Sequence, residues 1–324
     1  MKKTLKAFTS GLIDYAGLFP PSELDMDTAI HNFAKYREDD LSFMLSNFIC
    51  PADRLHELNT YKDELFSKNP PFRFSVICNC RCELPEFTKT LGGHLENIEK
   101  FYEHEGSRIK VTTLEIRLPE FNGDKQEVNR LLNQTVRRVN NFLPNDVHVF
   151  FETTMDSKWK ENATALIEAI SEHNSQMTNN FRYLRGGFKL RCGGVTPELV
   201  PERQKVATII DLCNSHEVPM KFTAGLHHPL RHHSKELNTE MHGFLNIFTA
   251  AILAHVYKSS EKTILEVLED ENMEHFKFGD TFFAWKKFKV TAEGISEART
   301  ALASSFGSCS FDEPVEDLKN AGLM

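Results

Sequence analysis

Two segments near the middle of the chain, Gly186-Gly187-Phe188-Lys189-Leu190-Arg191-Cys192-Gly193-Gly194 and Val218-Pro219-Met220-Lys221-Phe222-Thr223-Ala224-Gly225, each predict a short strand that ends in glycine. Each strand carries one lysine, Lys189 in the first and Lys221 in the second. The residues between them, 201–216, have the pattern of a single amphipathic helix. We therefore expect a strand–helix–strand unit with parallel strands, in which both lysines approach the same rim of one sheet.

The same alternation of strand and helix patterns extends along the whole chain. Each predicted strand is short and almost continuously apolar, as is typical of parallel strands that are covered on both faces. The predicted strands are 11–18, 42–49, 72–78, 112–118, 147–153, 187–191, 220–224 and 276–282. The predicted helices are 25–36, 53–66, 84–104, 125–142, 160–173, 201–216, 240–257 and 295–305, with a short final element at 314–320.

Eight strand–helix units in 324 residues predict an α/β fold, the (β/α)8 TIM barrel. We expect residues 1–324 to form a single barrel domain, with 306–324 as a short C-terminal extension. An open, doubly wound sheet is the alternative. The sequence argues against it, because no Gly-x-Gly-x-x-Gly turn follows the first predicted strand and no Walker-type phosphate loop occurs.

Composition excludes several classes of partner. The formal net charge of −8 argues against a nucleic acid or an anionic membrane. The longest apolar stretch, 243–257, is shorter than the roughly 20 residues that cross a bilayer, so it predicts a buried helix. The N-terminus has no apolar run long enough for a signal peptide. We expect a small-molecule substrate, and the sequence leaves open whether the chain forms a homo-oligomer.

The cysteines indicate a cellular compartment. Seven cysteines without a disulfide framework are typical of a reducing environment, which predicts a cytoplasmic protein. The run Cys78-Asn79-Cys80-Arg81-Cys82 lacks the spacing and the second half of a zinc site, so we expect buried thiols there.

Ionisable residues stand near the ends of most predicted strands, where a TIM barrel has its active site. Burial of such groups costs free energy unless they are paired or used. The candidate catalytic residues are Lys189, Lys221, Asp14 and Glu152. The candidate substrate-binding residues are Glu115, Arg117, Arg191, Gly193, Gly194, His227, His228 and Asp280.

The two lysines suggest Schiff-base chemistry. A second ammonium nearby lowers the pKa of a lysine and makes its amine nucleophilic, so Lys221 would activate Lys189. Asp14 or Glu152 would then relay protons, and Arg191, on the same strand face as Lys189, would bind a carboxylate or phosphate. The structural interpretation is that Lys189 and Lys221 each neutralise a barrel carboxylate such as Glu152 or Glu115. Arg191 would then pair with Glu152 on the neighbouring strand.

A histidine-rich segment, 227–233, supports a second interpretation. Glu115, Glu152, His227 and Asp280 together would form an oxygen and imidazole site suited to a divalent metal, whereas the lysine interpretation needs no cofactor. The segment 306–314 contains Cys309, which would be a nucleophile only with a base beside it. We expect that segment to be a structural loop.

Several short segments resemble the deoxyribose-phosphate aldolases. Phe188-Lys189 through Gly194 with Thr196-Pro197-Glu198 is similar to their sixth strand, and Met220-Lys221-Phe222-Thr223-Ala224-Gly225 to their seventh. The resemblance continues in the segments 12–20, 47–52 and 276–279. It implies a (β/α)8 barrel in which Lys189 forms the Schiff base and Lys221 perturbs it.

The chain also departs from that family. Arg117 stands where the family has its proton-relay aspartate, Asp280 replaces small hydroxyl residues, and Asp14-Tyr15-Ala16 replaces Asp-His-Thr. Three functions therefore stay open. The first is a lysine-dependent aldolase or other lyase acting on a small polar or anionic carbonyl compound. The second is a metal-dependent isomerase, lyase or hydrolase, and the third is a barrel that binds a ligand without catalysis.

Overall fold

The structure, a computed structural model, describes residues 1–66, 70–80, 84–121, 123–143, 146–177 and 185–324. Its strands are β1 (Ile13–Tyr15), β2 (Leu45–Pro51), β3 (Phe72–Cys78), β4 (Ile109–Arg117), β5 (His148–Glu152), β6 (Gly186–Arg191), β7 (Met220–Thr223), β8 (His232–Ser234), β9 (Thr239–Met241), β10 (Phe276–Lys277), β11 (Phe282–Trp285), β12 (Phe288–Thr291) and β13 (Ala303–Ser308). Its α-helices are α1 (Lys3–Thr9), α2 (Met26–Tyr36), α3 (Leu84–Glu105), α4 (Lys125–Phe142), α5 (Trp159–Met177), α6 (Arg203–Ser215), α7 (Phe244–Tyr257), α8 (Glu261–Leu268), α9 (Ala292–Ala301) and α10 (Asp312–Asn320).

Eight of these strands form a closed barrel in the order β1-β13-β7-β6-β5-β4-β3-β2. The paired strands run parallel, as the strand–helix alternation predicts. Their side chains are almost continuously buried: Val149, Phe150 and Phe151 of β5 are all in the core. The predicted (β/α)8 TIM barrel is therefore confirmed, and the segment after β13 carries the helix α10.

The eighth barrel strand is not the predicted one. Residues 276–282 contribute β10 and the start of β11. These strands belong to a separate three-stranded sheet, in which β11 pairs antiparallel with β10 on one side and with β12 on the other. The eighth barrel strand is β13, in a segment assigned by sequence to a helix and a loop. Its residues Ala303-Ser304-Ser305-Phe306-Gly307-Ser308 are mostly small and polar, so they lack the β-branched and aromatic pattern of a strand. Residues 306–308 belong to this strand, and the segment after the barrel begins beyond Ser308.

One predicted helix has a different geometry. Residues 53–66 were expected to form an α-helix, but Ala52–Tyr61 is a 3₁₀ helix. Its buried side chains are Ala52, Leu55 and Leu58, spaced three residues apart. Side chains at i and i+3 align in a 3₁₀ helix, so this spacing gives a straight apolar stripe in that conformation.

The described chain divides into two compact units, Met1–Glu23 with Tyr36–Ser46 and Leu190–Met324, and Leu24–Lys35 with Asn47–Lys189. The prediction of a single domain over 1–324 stays a prediction. In the first unit, helix α7 is buried from Phe244 through Ala254, which confirms the buried helix predicted there. Among the described residues, no helix is long and apolar enough to cross a membrane.

Each unit has an aromatic core. In the first unit, Phe248 packs against Phe8, Phe222 and Phe306, and Phe306 stacks on Phe244 with ring centroids 5.5 Å apart. In the second unit, a chain of edge-to-face contacts joins six phenylalanines: Phe33, Phe48, Phe66, Phe72, Phe74 and Phe101. These rings contribute both buried area and the directional contacts of aromatic pairs.

The three-stranded sheet of the first unit is held by a buried carboxylate, Asp270. It accepts hydrogen bonds from the backbone amide of Asn272 and from the side chains of His275 and Trp285, at 2.8–3.1 Å. Burial opposes ionisation of this carboxylate, but these hydrogen bonds outweigh it and hold the pKa of Asp270 below its ordinary value. The negative charge therefore stabilises the sheet.

Candidate functional site

A buried lysine stands between two buried carboxylates in the second unit. Lys189 of β6 is 5% exposed, and its Nζ lies 2.7 Å from Glu115 Oε2 and 3.0 Å from Glu152 Oε2. Glu115 belongs to β4 and Glu152 to β5, so three consecutive strands supply the cluster. The structure thus brings together three of the predicted site residues.

A hydrogen bond holds one of the two carboxylates, and an ion pair lies beside the other. Ser75 of β3 donates its hydroxyl to Glu115 Oε1 at 2.6 Å. Arg117 lies with Nη1 4.0 Å from Glu152 Oε1, and its side chain is 30% exposed. Each carboxylate therefore directs one oxygen to Lys189 and the other to a second polar group, which is the arrangement that buried charges require. Ser75 was missed by the sequence analysis because a serine within an apolar strand carries no pattern of its own.

The second lysine, Lys221 of β7, forms a separate cluster in the first unit. It is 1% exposed and its ammonium forms an ion pair with Oδ2 of the fully buried Asp14 on β1. The same oxygen accepts a hydrogen bond from Ser305 Oγ of β13 at 2.5 Å. Ser305 was also missed, because the sequence analysis placed it in a helix. The predicted activation of Lys189 by Lys221 stays a prediction.

The glycines after β6 have a packing role. A Cβ on Gly193 would lie 2.7 Å from the Cα of Gly225, and a Cβ on Gly194 would lie 2.5 Å from Leu199 Cδ1. Cys192 donates its amide to the carbonyl of Thr223 at 2.8 Å, so the chain segments after β6 and β7 run in direct contact. Arg191, at the end of β6, is half-buried. The predicted binding of substrate by Arg191, Gly193 and Gly194 stays a prediction.

The two adjacent histidines bind to helix α10. His227 Nδ1 lies 2.9 Å from Glu313 Oε2, and His228 Nδ1 lies 2.6 Å from Asp317 Oδ2. Cys309 Sγ, one residue after β13, is 3.9 Å from His227 Nδ1. The thiol named in the sequence analysis therefore does have a base beside it, supplied by a loop 82 residues earlier in the chain.

The charges in this cluster favour the imidazolium form of His227 and the thiolate form of Cys309. Burial disfavours the imidazolium of His227, but its contacts with Cys309 and Glu313 outweigh burial and raise the pKa of His227 to about 10. Burial likewise opposes ionisation of Cys309, yet the hydrogen bond with His227 lowers the pKa of that thiol below its ordinary value. A thiolate facing an imidazolium is a known means of activating cysteine.

Asp280 lies elsewhere than predicted. It precedes β11 in the three-stranded sheet, where its side chain is 60% exposed and lies 3.6 Å from Lys2 Nζ. It also accepts the backbone amide of Lys3, at the start of α1, and this hydrogen bond lowers the pKa of the Asp280 carboxyl. The predicted position at the carboxyl end of the eighth barrel strand is wrong, because that strand is β13.

A third set of polar residues, in the second unit, was not predicted. Cys80 Sγ lies 3.6 Å from His94 Nδ1, and His94 Nε2 lies 2.7 Å from Asp53 Oδ1. Cys80 is only 1% exposed, so this thiol is closed to solvent. The prediction of buried thiols is confirmed for Cys78 and Cys80, whereas Cys82 lies outside the described residues.

The residues of the metal alternative have other partners. Glu115 and Glu152 bind Lys189, His227 binds Glu313, and Asp280 binds the N-terminal residues. Across the described ranges, no group of three or more His, Cys, Asp or Glu side chains is arranged to hold a metal ion. The divalent-metal alternative stays a prediction.

Comparisons with known proteins add no family to this description. No family model matches the chain, and no curated protein matches it in sequence. The (β/α)8 barrel is compatible with an enzyme, but this fold carries many different reactions. A specific function must therefore be argued from the residues of the site.

Proposed function

We propose that this protein is an enzyme that acts on a small polar or anionic carbonyl compound through an imine formed on Lys189. The observation that carries the proposal is the burial of the Lys189 amine between Glu115 and Glu152. Ionisable groups inside a barrel cost free energy, and such groups with specific charged partners are concentrated at functional sites. An amine with two proton acceptors within 3.0 Å also has the groups that imine formation requires.

The proton transfers follow from these distances. The Lys189 ammonium gives one proton to a neighbouring carboxylate, and the neutral amine attacks the carbonyl carbon. The carboxylic acid returns that proton to the alkoxide oxygen, which gives the carbinolamine. The attacking nitrogen then loses a second proton to the same carboxylate, which passes it to the carbinolamine hydroxyl, and this hydroxyl leaves as water. The positive charge of the resulting iminium lies beside the other carboxylate. When the bond between the α- and β-carbons of the substrate is cleaved, the iminium accepts the electron pair of that bond. Glu152 is our choice for the proton relay, because Ser75 donates a 2.6 Å hydrogen bond to the other oxygen of Glu115, whereas Arg117 lies 4.0 Å from Glu152.

Arg117 suggests the charge of the substrate. Its guanidinium is 4.0 Å from Glu152 and partly exposed, so it can bind an anionic group while Lys189 reacts with the carbonyl. This position favours a carbonyl compound that carries a carboxylate or a phosphate. A lyase reaction of the aldolase type is the chemistry that such an imine most directly supports.

Reductive trapping tests the proposal. The protein is incubated with a panel of small aldehydes, ketoses and keto acids plus borohydride, and the adducts are mapped by peptide mass. We expect one stable adduct, on Lys189. It should be absent from Lys189→Met and retained in Lys110→Met, because Lys110 is 46% exposed and pairs only at the surface with Asp146.

The adduct is mapped on the protein without substitutions, so the test stays valid even if the Lys189→Met variant does not fold. An adduct on a different lysine, or on none, would refute the imine on Lys189. Elemental analysis for a bound metal would then be the next measurement, since the divalent-metal interpretation uses the same two glutamates.

A further inference from the structure

The carboxyl end of β13 carries a second reactive group. We propose that Cys309 is a covalent modification site that reacts as a thiolate with small soft electrophiles, above all α,β-unsaturated carbonyl compounds, with His227 as its proton donor. This inference goes beyond the imine chemistry proposed above. It does not depend on Lys189, because all the residues involved belong to the first unit.

The geometry fixes one imidazole nitrogen between two acidic groups. His227 Nδ1 is 3.9 Å from Cys309 Sγ and 2.9 Å from Glu313 Oε2. A protonated Nδ1 therefore faces both the sulfur and the carboxylate, and Glu313 holds the imidazole in this orientation. The arrangement resembles an ion pair of thiolate and imidazolium that is stabilised by a third charged group.

The turn that presents the thiol is held by hydrogen bonds. Ser22 donates its hydroxyl to the carbonyl of Cys309 at 3.2 Å. Ser310 Oγ accepts the amide of Glu313 at 3.1 Å, which connects the turn to the start of α10. Cys309 and Glu313 are thus fixed relative to each other before any ligand binds.

The charged surroundings of the pair come from two elements. His227 belongs to the loop after β7, and Glu313 to α10. Glu313 also faces His228 and His232, and His228 in turn binds Asp317. The hydrogen bond to His227 lowers the pKa of the Glu313 carboxyl, despite the opposing effect of burial, so this carboxylate stays ionised beside the imidazolium.

Cys309 differs from the other described cysteines in both exposure and ionisation. It is 7% exposed and its partner His227 has a side chain that is 21% exposed, whereas Cys50, Cys192 and Cys213 are fully buried. Burial raises the pKa of those three thiols above the ordinary value, while the pKa of Cys309 is lowered. Among the described thiols, Cys309 therefore combines the largest exposed fraction with a lowered pKa.

The proposed step balances without an external oxidant or reductant. The thiolate sulfur forms a bond to the β-carbon of the unsaturated carbonyl compound, and the π electrons move to give an enolate. The enolate then takes the proton from His227 Nδ1. The product is a neutral thioether and a neutral imidazole, whose Nδ1 binds Glu313 again once it has taken a proton from solvent.

Alkylation rates as a function of pH test this inference. Iodoacetamide and methyl vinyl ketone serve as probes on the full chain, and the extent of labelling at each cysteine is read by peptide mass. The thiolate fraction of an ordinary cysteine falls by roughly two orders of magnitude between about pH 8 and pH 6. For Cys309 we expect a flatter profile, with a decrease several-fold smaller than that of an ordinary thiol, because its lowered pKa keeps more of the thiol ionised at the lower pH.

Two histidine variants provide the comparison. His227→Gln should give Cys309 the steep pH dependence of an ordinary thiol, since its imidazolium partner is gone. His228→Gln is the matched control: it removes the adjacent histidine, which binds Asp317, and should keep the flatter profile. Circular dichroism checks that both variants are folded. The inference is overturned if the native protein shows the steep profile, or if Cys309 is labelled no faster than the buried cysteines.

Discussion

The substitution Lys189→Met should destabilise the protein strongly, because it leaves two buried carboxylates without their shared cation. Glu115 and Glu152 have side chains that are 0% and 8% exposed, and both lie within 3.0 Å of the ammonium. Removing one member of a buried ion pair costs about 3–5 kcal/mol. We therefore expect the free energy of unfolding to fall by about 4 kcal/mol, measured by urea denaturation with circular dichroism.

A double variant distinguishes the loss of the buried ion pair from the loss of packing. In Glu115→Gln/Lys189→Met one of the two carboxylates is neutral, so about 2 kcal/mol of the loss should be recovered, within the range of coupling between residues in contact. Lys110→Met provides the control, since its ion pair with Asp146 is exposed and worth less than about 1 kcal/mol. A cost under about 1 kcal/mol for Lys189→Met, or a double variant no more stable than Lys189→Met, would contradict this prediction. Either result would mean that the resting amine carries no charge that the carboxylates stabilise.

Three further predictions concern other parts of the structure. Asp270→Asn should lower the free energy of unfolding by about 2 kcal/mol near neutral pH. Because folding lowers the pKa of Asp270, the stabilisation is present above the unfolded value of 3.8 and is lost as the pH falls through the folded pKa. Acid unfolding should therefore show the stabilities of the two proteins converging at low pH. Gly193→Ala should destabilise the protein by about 2 kcal/mol or more, since its Cβ would lie 2.7 Å from the Gly225 backbone. Gly93→Ala in helix α3 should instead stabilise it by about 0.5–1 kcal/mol, because no atom lies within 4 Å of that Cβ. Thermal melts that rank the two variants in the opposite order would contradict this prediction. Ser305→Ala should cost about 2 kcal/mol in urea denaturation, since it removes the hydroxyl that donates to the buried carboxylate of β1, and a loss below about 0.5 kcal/mol would mean that this bond adds nothing.

The sequence predicted the fold where periodicity carried the information. Seven barrel strands are apolar enough to be recognised, and their alternation with amphipathic helices leaves few topologies. The eighth failed because Ala303–Ser308 owes its place to pairing with β1 and β7 on both sides, a tertiary effect that local propensity does not record. The aromatic segment 276–285 has a stronger strand signal and forms a sheet of its own.

The site was predictable only in its charged members. Lys189, Glu115 and Glu152 stand out because ionisable residues are unusual in buried strands, and the structure brings them together. Ser75 and Ser305 have no such signal, since serine is common in every kind of segment. The pairing of His227 with Cys309 depends on how the loop after β7 folds over the end of β13, which follows from barrel closure rather than from either segment alone.

Closure of the barrel also determines when, during synthesis, the buried charged residues of β1 and β7 obtain their complete surroundings. The Asp14 carboxylate accepts a hydrogen bond from the Ser305 hydroxyl, which lies 291 residues later in the sequence. The strands that carry these residues, β1 and β13, pair over a similar separation. At translation rates of about 5–20 residues per second, β1 waits roughly 15–60 s for that partner. A growing chain therefore contains Asp14 and Lys221 well before β13 exists to complete their surroundings. Ribosome-bound chains that stop short of β13 should expose β1 as an unpaired edge, where a chaperone can bind it.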